Sequence, residues 1–174
     1  MRRSAALPLA LMVVAALPPG SARAYEDQVT LGLDAGYALA LGDGTAHGVT
    51  AGLEASIGLG DVLSLRGRLG YGHHPGGDGL HVAVAGGELL YVLDVLEWVP
   101  YFGLGADAFM TVASGDARGD LGLHAVVGLE WLGSRDWLVG LDIRPYLLPL
   151  AFDEDPLDPV YLSITLRYSL IFDL

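Results

Sequence analysis

The C-terminal segment, residues 160–174, is the feature that most restricts the fold of this chain. A period of two in its apolar residues predicts a β-strand with one apolar and one polar face. The alternation runs for 13 residues from Leu162, which matches the roughly 9 to 11 tilted residues that cross a bilayer as a strand. Because a strand in lipid cannot leave its edge unpaired, the segment predicts a closed barrel. The alternating apolar residues are Leu162, Ile164, Leu166, Tyr168, Leu170, Phe172 and Leu174.

The first 24 residues have the pattern of a secretory signal peptide. Arg2 and Arg3 form a short positive region, residues 5–18 are mostly apolar, and Ala22-Arg23-Ala24 is a small-x-small cleavage site. The apolar run is shorter than the roughly 20 residues of a spanning helix. We therefore expect cleavage after Ala24 and export of a single barrel domain, residues 25–174.

The composition of residues 25–174 excludes several classes of protein. Six arginines and no lysine face 21 acidic residues, a formal charge of 6 − 21 = −15. Nucleic acid is not expected as a partner, because phosphate binding requires a basic face. The chain has no cysteine, so no disulfide stabilises the exported domain.

Seven further segments alternate with the same period. Together with residues 160–174 they predict an all-β fold, an eight-stranded antiparallel up-and-down transmembrane β-barrel. The connections 42–47, 74–79, 111–119 and 149–159 are longer than the connections 60–61, 94–98 and 133–136. This asymmetry is typical of outer-membrane barrels, whose short turns and termini face the periplasm. The seven segments are residues 28–41, 48–59, 62–73, 80–93, 99–110, 120–132 and 137–148.

The fourth predicted strand does not alternate cleanly. One register turns Leu80, Val82 and Val84 outward but also turns Glu88 toward lipid, where a charge costs up to a few kcal/mol. The other register hides Glu88 and leaves mostly alanine and glycine on the upper outward face. A bulge at Gly86-Gly87 would let both halves keep their apolar face outward, and we predict such a bulge.

The pattern as a whole resembles a known family. The eight alternating segments, the sequence Pro100-Tyr101-Phe102-Gly103-Leu104-Gly105 at the start of the fifth strand, and the alternating C-terminal strand are similar to the small eight-stranded outer-membrane β-barrel proteins of the OmpA-transmembrane, OmpX and OmpW type. The resemblance covers residues 25–174 and implies the same porin-like barrel architecture in a Gram-negative cell envelope.

Charged residues on the inward faces form the principal candidate site. An eight-stranded barrel has an interior only just wide enough for its own side chains, so these residues are expected to plug the lumen with ion pairs. The first predicted pairs are Glu54 with Arg68 and Asp34 with Arg167; the alternative reading is a proton or ion path. The predicted lumen charge belt is Asp34, Glu54, Arg66, Arg68, Glu88, Asp107, His124, Asp142, Arg144 and Arg167.

Outward aromatic residues are predicted to mark the two membrane interfaces. Amphipathic rings concentrate at both edges of the apolar band of a membrane barrel. The predicted interface aromatics are Tyr91, Trp98, Trp131, Trp137 and Phe172 near the short turns, and Tyr37 and Tyr71 near the long loops.

Metal and catalytic sites find less support. None of the five histidines has a compact metal-ligand spacing. A lipid A deacylase or acyltransferase needs a serine together with a histidine and an acid, and here no serine has a histidine beside it in the sequence. Four loop carboxylates, Asp153, Glu154, Asp155 and Asp158, are a candidate site for a divalent cation, which prefers oxygen ligands. No cofactor is expected.

The sequence therefore predicts a monomeric, non-catalytic outer-membrane barrel with a structural or surface-interaction role. Its expected partners are outer-membrane lipid, lipopolysaccharide and the outer-membrane assembly machinery. The alternatives are an OmpW-like conduit for small hydrophobic molecules and a lipid A-modifying enzyme.

Overall fold

Eight antiparallel strands form the part of the chain that the computed structural model describes, residues 28–41, 46–75, 79–93, 97–113, 115–149 and 160–173. Alternating polar and apolar residues favour extended strands throughout, and no helix among these residues is long and apolar enough to cross a membrane. The strands are β1 (Gln28–Leu41), β2 (Ala46–Gly58), β3 (Leu63–His74), β4 (Leu80–Val92), β5 (Trp98–Ala113), β6 (Asp116–Leu132), β7 (Trp137–Leu147) and β8 (Val160–Asp173).

The strands close into one barrel in sequence order, and β8 pairs back onto β1. This closing seam runs without interruption from the pair Gln28 and Asp173 to the pair Leu41 and Val160. Closure removes both sheet edges, which lipid could not satisfy. The predicted eight-stranded antiparallel barrel is therefore confirmed.

Two names describe the ends of the barrel. The turn rim is the end at which β2 ends and β3 begins and at which β6 ends and β7 begins, and it also holds Gln28 and Asp173. The loop rim is the opposite end, at which β1 ends and β8 begins. The placement of the turn rim in the periplasm stays a prediction. The signal peptide and the four loop carboxylates from Asp153 to Asp158 lie outside the described residues.

Two predicted connections are wrong. The loop expected at residues 111–119 is strand, because β5 continues to Ala113 and β6 begins at Asp116. Thr111 and Val112 extend the β-branched strand pattern, and Gly115 supplies the positive φ of 90° that a tight hairpin needs. The two-residue turn expected at Gly60-Asp61 instead spans residues 59–62, and the amide of Leu59 donates to the carbonyl of Leu63 at 2.8 Å.

The bulge predicted at Gly86-Gly87 is also wrong. β4 pairs in a continuous register from Leu80 to Tyr91 with β3 and from Leu80 to Val92 with β5. A single register buries Leu80, Val82, Val84 and Glu88 together. The physical reason is that the upper lumen is itself apolar, so the valines gain more by packing inside than by facing lipid.

The two faces of the barrel wall are chemically opposite. Outward leucines of every strand lie exposed, with Leu104 reaching 71%. The inward faces carry the buried polar and charged side chains. Apolar outside and polar inside is the arrangement of a barrel whose solvent is lipid.

Candidate functional site

All ten residues of the predicted lumen charge belt lie buried inside the barrel. Every strand contributes at least one of them, because each strand turns alternate residues inward. A charged side chain held away from water must find opposite charge and hydrogen bonds. The belt therefore links all eight strands through their side chains.

Arg144 lies at the centre of the belt. Its Nη2 atom is 2.8 Å from Glu54 Oε1, 3.1 Å from Glu88 Oε1 and 3.2 Å from Asp142 Oδ2. Its Nη1 atom donates to the hydroxyl of Thr165 at 3.2 Å. One guanidinium on β7 thus contacts residues of β2, β4 and β8 as well as its own strand, a use of the planar fork that lysine could not copy.

Arg66 and Arg167 both contact Tyr101. The guanidinium carbon of Arg66 is 4.9 Å from the ring centroid of Tyr101, and that of Arg167 is 5.8 Å away. The Tyr101 hydroxyl accepts hydrogen bonds from both, at 3.4 Å from Arg66 Nη1 and 3.2 Å from Arg167 Nη2. The ring contacts both guanidinium groups and supplies cation–π attraction to each.

The same two arginines also form ion pairs with carboxylates of the lumen. Arg66 pairs with Glu88, and Arg167 pairs with Glu130. The carboxylate of Asp142 has no hydrogen-bond partner, yet its Oδ1 lies 3.6 Å from Arg66 Nη2 and its Oδ2 lies 3.8 Å from Arg167 Nε. Glu130 was not in the predicted belt, although it shares the inward face of the sixth strand with His124; its parity along the strand is the signal that would have found it.

One of the two predicted ion pairs is wrong. Glu54 and Arg68 are register partners, with Glu54 Oε1 3.6 Å from Arg68 Nε. Asp34 and Arg167 are register partners as well. Asp34 nevertheless accepts two hydrogen bonds from Arg68, at 3.0 and 3.2 Å. Arg68 reaches across β2 to make this bidentate contact, the strongest geometry available to the carboxylate, and Arg167 turns to Glu130.

His124 joins the belt to the upper lumen. Its Nε2 is 2.9 Å from Glu88 Oε2, and its Nδ1 is 3.6 Å from Asp107 Oδ2. Six belt carboxylates, counting Glu130, face four arginines. His124 lies between two of these carboxylates, those of Glu88 and Asp107.

Apolar clusters close the lumen on both sides of the belt. Toward the turn rim, Tyr101 packs with a buried group that consists of Leu90, Val92, Val99 and Val126. Toward the loop rim, Phe109, Tyr146 and Tyr161 pack edge to face, with ring centroids 5.1 to 5.9 Å apart. This second cluster also contains Ala38, Ala40, Leu80, Val82, Val84 and Leu148. The belt thus lies between two buried apolar layers.

The predicted interface aromatics lie on the outer surface. A continuous aromatic band follows the turn rim, with Trp131 5.5 Å from Trp137 and 6.4 Å from Trp98 between ring centroids. The structure adds Phe102 and Tyr168 to this band through contacts with Tyr91 and Trp137. Phe172 is exposed near the same rim, and Tyr37 and Tyr71 are exposed near the loop rim.

Comparison with solved structures identifies this architecture. Neisserial surface protein A is similar with a TM-score of 0.62 and 16% identity, over 84% of this chain and 97% of that chain. OprG from Pseudomonas aeruginosa is similar with a TM-score of 0.58 and 11% identity, over 88% and 100%. This chain has the fold of the small eight-stranded outer-membrane barrels. No protein-family model and no curated protein matches it.

A further barrel of this fold is an enzyme. The outer membrane enzyme PagL is similar with a TM-score of 0.53 and 18% identity, over 80% of this chain and 97% of that chain. At such identities the likeness shows the fold alone. Among the described residues of this chain, the serine hydroxyls with a hydrogen bond contact Thr30, the carbonyl of Ile57 and the amide of Asp136, and none contacts a histidine.

Metal binding has no support within the described part of the barrel. No group of three or more histidine or acidic side chains there has the geometry to hold a metal ion. His47, His73 and His81 face outward near the loop rim, whereas His74 is buried and contacts the Tyr161 hydroxyl at 3.3 Å.

Glycine at position 128 makes room for the ring that anchors the belt. A Cβ at Gly128 would lie 2.2 Å from Cζ of Tyr101. We expect Gly128→Ala to displace that ring and to lower the free energy of unfolding of this barrel by about 1–3 kcal/mol, as overpacking does. Urea unfolding followed by tryptophan fluorescence in detergent measures the change.

The matched control is Gly67→Ala on the outer face of β3. A Cβ there would be 3.8 Å from the nearest atom, the carbonyl oxygen of Gly86. We expect no loss of stability from this substitution, since alanine also restricts the unfolded chain. Equal losses in the two variants would contradict the packing role of Tyr101.

Proposed function

We propose that this barrel resides in the outer membrane as a non-catalytic protein that does not conduct ions and that acts through its outer surface and rims. The observation that carries the proposal is the lumen, in which six carboxylates and four arginines form one network between two apolar clusters. A buried network of this kind stiffens a structure and leaves its groups without water.

Two features of the outer wall support the membrane placement. Exposed leucines cover the outer wall from β1 to β8. Soluble monomers rarely expose an apolar surface of that extent. The aromatic band at the turn rim marks one edge of this apolar surface, as an interface with lipid headgroups favours. Lipopolysaccharide and the assembly machinery remain the partners we propose on this basis.

Single-channel recording in planar bilayers tests the closed lumen. We expect the purified barrel to give no stable conductance steps, because the belt and the loop-rim cluster fill the cross-section that eight strands enclose. Insertion is verified independently by the difference in gel mobility between unheated and heated protein. A known porin added to the same membrane is the control for recording. Regular openings of the unaltered protein would contradict the proposal and favour the ion-path reading.

A matched variant shows whether the assay can detect an opened plug. Tyr101→Ala removes the ring that contacts both Arg66 and Arg167 and leaves both charges in the lumen. We expect intermittent conductance from this variant where the native barrel gives none. Uptake of a small hydrophobic dye into vesicles tests the conduit alternative, and uptake that depends on the barrel would support it.

A further inference from the structure

Three histidines and two tyrosines form a patch on the outer wall at the loop rim of β1 to β4. The patch, which we call the histidine patch, is Tyr37, His47, Tyr71, His73 and His81. Tyr37, His47, Tyr71 and His81 are exposed, and His73 is half-buried. Their strands are adjacent and their register brings the residues together, because His73 pairs with His81 across β3 and β4, and Val49 pairs with both Tyr37 and His73.

The contacts within the histidine patch are specific. The Tyr37 hydroxyl is hydrogen-bonded to Nδ1 of His47, and the Tyr71 hydroxyl lies 2.6 Å from Nδ1 of His81. The rings of His73 and His81 stack with centroids 4.8 Å apart. Gly79 adjoins both rings, and its missing Cβ would lie 3.7 Å from His73 Cε1.

The chemistry of these pairs changes when an imidazole gains a proton. When the ring is neutral, the phenolic O–H donates a hydrogen bond to Nδ1. In the charged ring, Nδ1 donates to the phenol oxygen, so the phenolic O–H becomes free to donate elsewhere. Each tyrosine–histidine pair then offers two outward donors and a positive charge, which together suit the oxygens of a phosphate.

Other positive charge is scarce at this location. The chain contains no lysine. Among the arginines of the described residues, four lie in the lumen, Arg135 lies at the turn rim, and Arg118 lies 3.9 Å from Asp120. Hence the histidines are the cationic groups that the described outer wall of β1 to β4 can present to lipid headgroups.

The titratable groups of the patch come from four neighbouring strands: Tyr37 from β1, His47 from β2, Tyr71 and His73 from β3, and His81 from β4. His74, next to His73, is buried on the inner face. Beyond the patch, the residue opposite His81 on β5 is Val112 and the residue opposite Tyr37 on β8 is Ile164, and neither titrates. Asp43 and Asp78 adjoin the patch in sequence and lie outside the described residues.

We propose that the histidine patch binds the phosphate of a lipid headgroup in the leaflet at the loop rim, and that binding strengthens as the imidazoles gain protons. The inference rests on the proposed membrane placement. Two stacked imidazoles repel each other when both are charged, so a bridging anion favours their joint protonation. Acidification and the lipid phosphate are therefore the two variables that test the site.

Native mass spectrometry in a phosphate-free maltoside detergent tests the proposal with a defined probe. The full barrel is mixed with bisphosphorylated lipid A or with the same lipid after removal of its phosphates, at pH 5.5 and pH 8.0. We expect retention of the phosphorylated lipid to rise on acidification by about fivefold for each imidazole that gains a charge. The dephosphorylated lipid should show no such rise.

Two triple variants separate charge from packing. His47→Gln, His73→Gln and His81→Gln together should abolish the rise on acidification. Replacement of the same three residues by arginine should keep strong retention at both pH values. Tyr37→Phe with Tyr71→Phe should weaken retention at pH 5.5 without removing its pH dependence.

The outcomes distinguish this inference from the proposed function. The inference would be overturned if the native barrel and the glutamine variant retained the lipid equally, or if retention were the same with and without the lipid phosphates. Neither result would contradict a closed barrel that is inserted in the membrane. Failure of the native barrel to insert into lipid vesicles would overturn the proposed membrane placement, and the lipid site with it.

Discussion

Arg144→Met is expected to lower the free energy of unfolding by about 3–5 kcal/mol, the typical cost of removing one partner from a buried ion pair. The methionine fills similar space but leaves Glu54, Glu88 and Asp142 without the guanidinium that lies 2.8 to 3.2 Å from each of them. Urea-induced unfolding of the barrel in lipid vesicles, followed by tryptophan fluorescence, measures the difference.

Two further variants make this expectation specific to the belt. Arg135→Met removes an exposed arginine at the turn rim, and we expect a change within about 0.5 kcal/mol, as for most surface substitutions. Asp142→Asn in the Arg144→Met background should recover part of the loss, since it removes a carboxylate that has lost a partner. A double variant whose loss equals the sum of the single losses would contradict direct coupling.

Leu104→Arg is expected to cost about 2–4 kcal/mol in vesicles, the penalty for arginine on a barrel's lipid face near the bilayer midplane. Leu104 is the most exposed large apolar residue in the described part of the chain, at 71%. It lies on β5 midway between Trp98 at the turn rim and Met110 toward the loop rim. In water, such a substitution at an exposed site would be nearly neutral. The sign and size of the effect therefore report which solvent surrounds the barrel.

Leu59→Arg is the matched control for Leu104→Arg. Leu59 is also exposed, at 55%, and lies in the turn 59–62 at the turn rim. The penalty on a lipid face falls to about 0–1 kcal/mol near the interface, so this variant should unfold at nearly the same urea concentration as the native barrel. If neither substitution destabilises the barrel in vesicles, the outer wall does not face hydrocarbon.

The period-two alternation allowed most of the fold to be predicted from sequence. Cβ atoms point to opposite faces at successive positions of any strand, so the parity of a residue determines its face once the segment is known to be a strand. The inward placement of Glu54 and Arg68 follows from this rule, and so does the outward placement of Leu104. Strand ends were less predictable, because β5 and β6 extend beyond the apolar band by residues whose alternation is weak.

The failure at β4 has a different physical origin. Val82 and Val84 are compatible with lipid and with an apolar lumen, and a strand's own sequence does not tell these surroundings apart. Only closure of the barrel brings them against Phe109, Tyr146 and Tyr161, and that contact removes any need for the bulge at Gly86-Gly87.

The sequence alone specifies which charges enter the lumen, because the parity of each residue along its strand sets the face that it occupies. How those charges pair follows from the folded barrel. Arginine side chains reach past their register partners, so Arg68 takes Asp34 and Arg167 takes Glu130. Likewise, His47, His73 and His81 come from three strands, and they form one surface only because pairing in the closed barrel sets those strands side by side at the same rim.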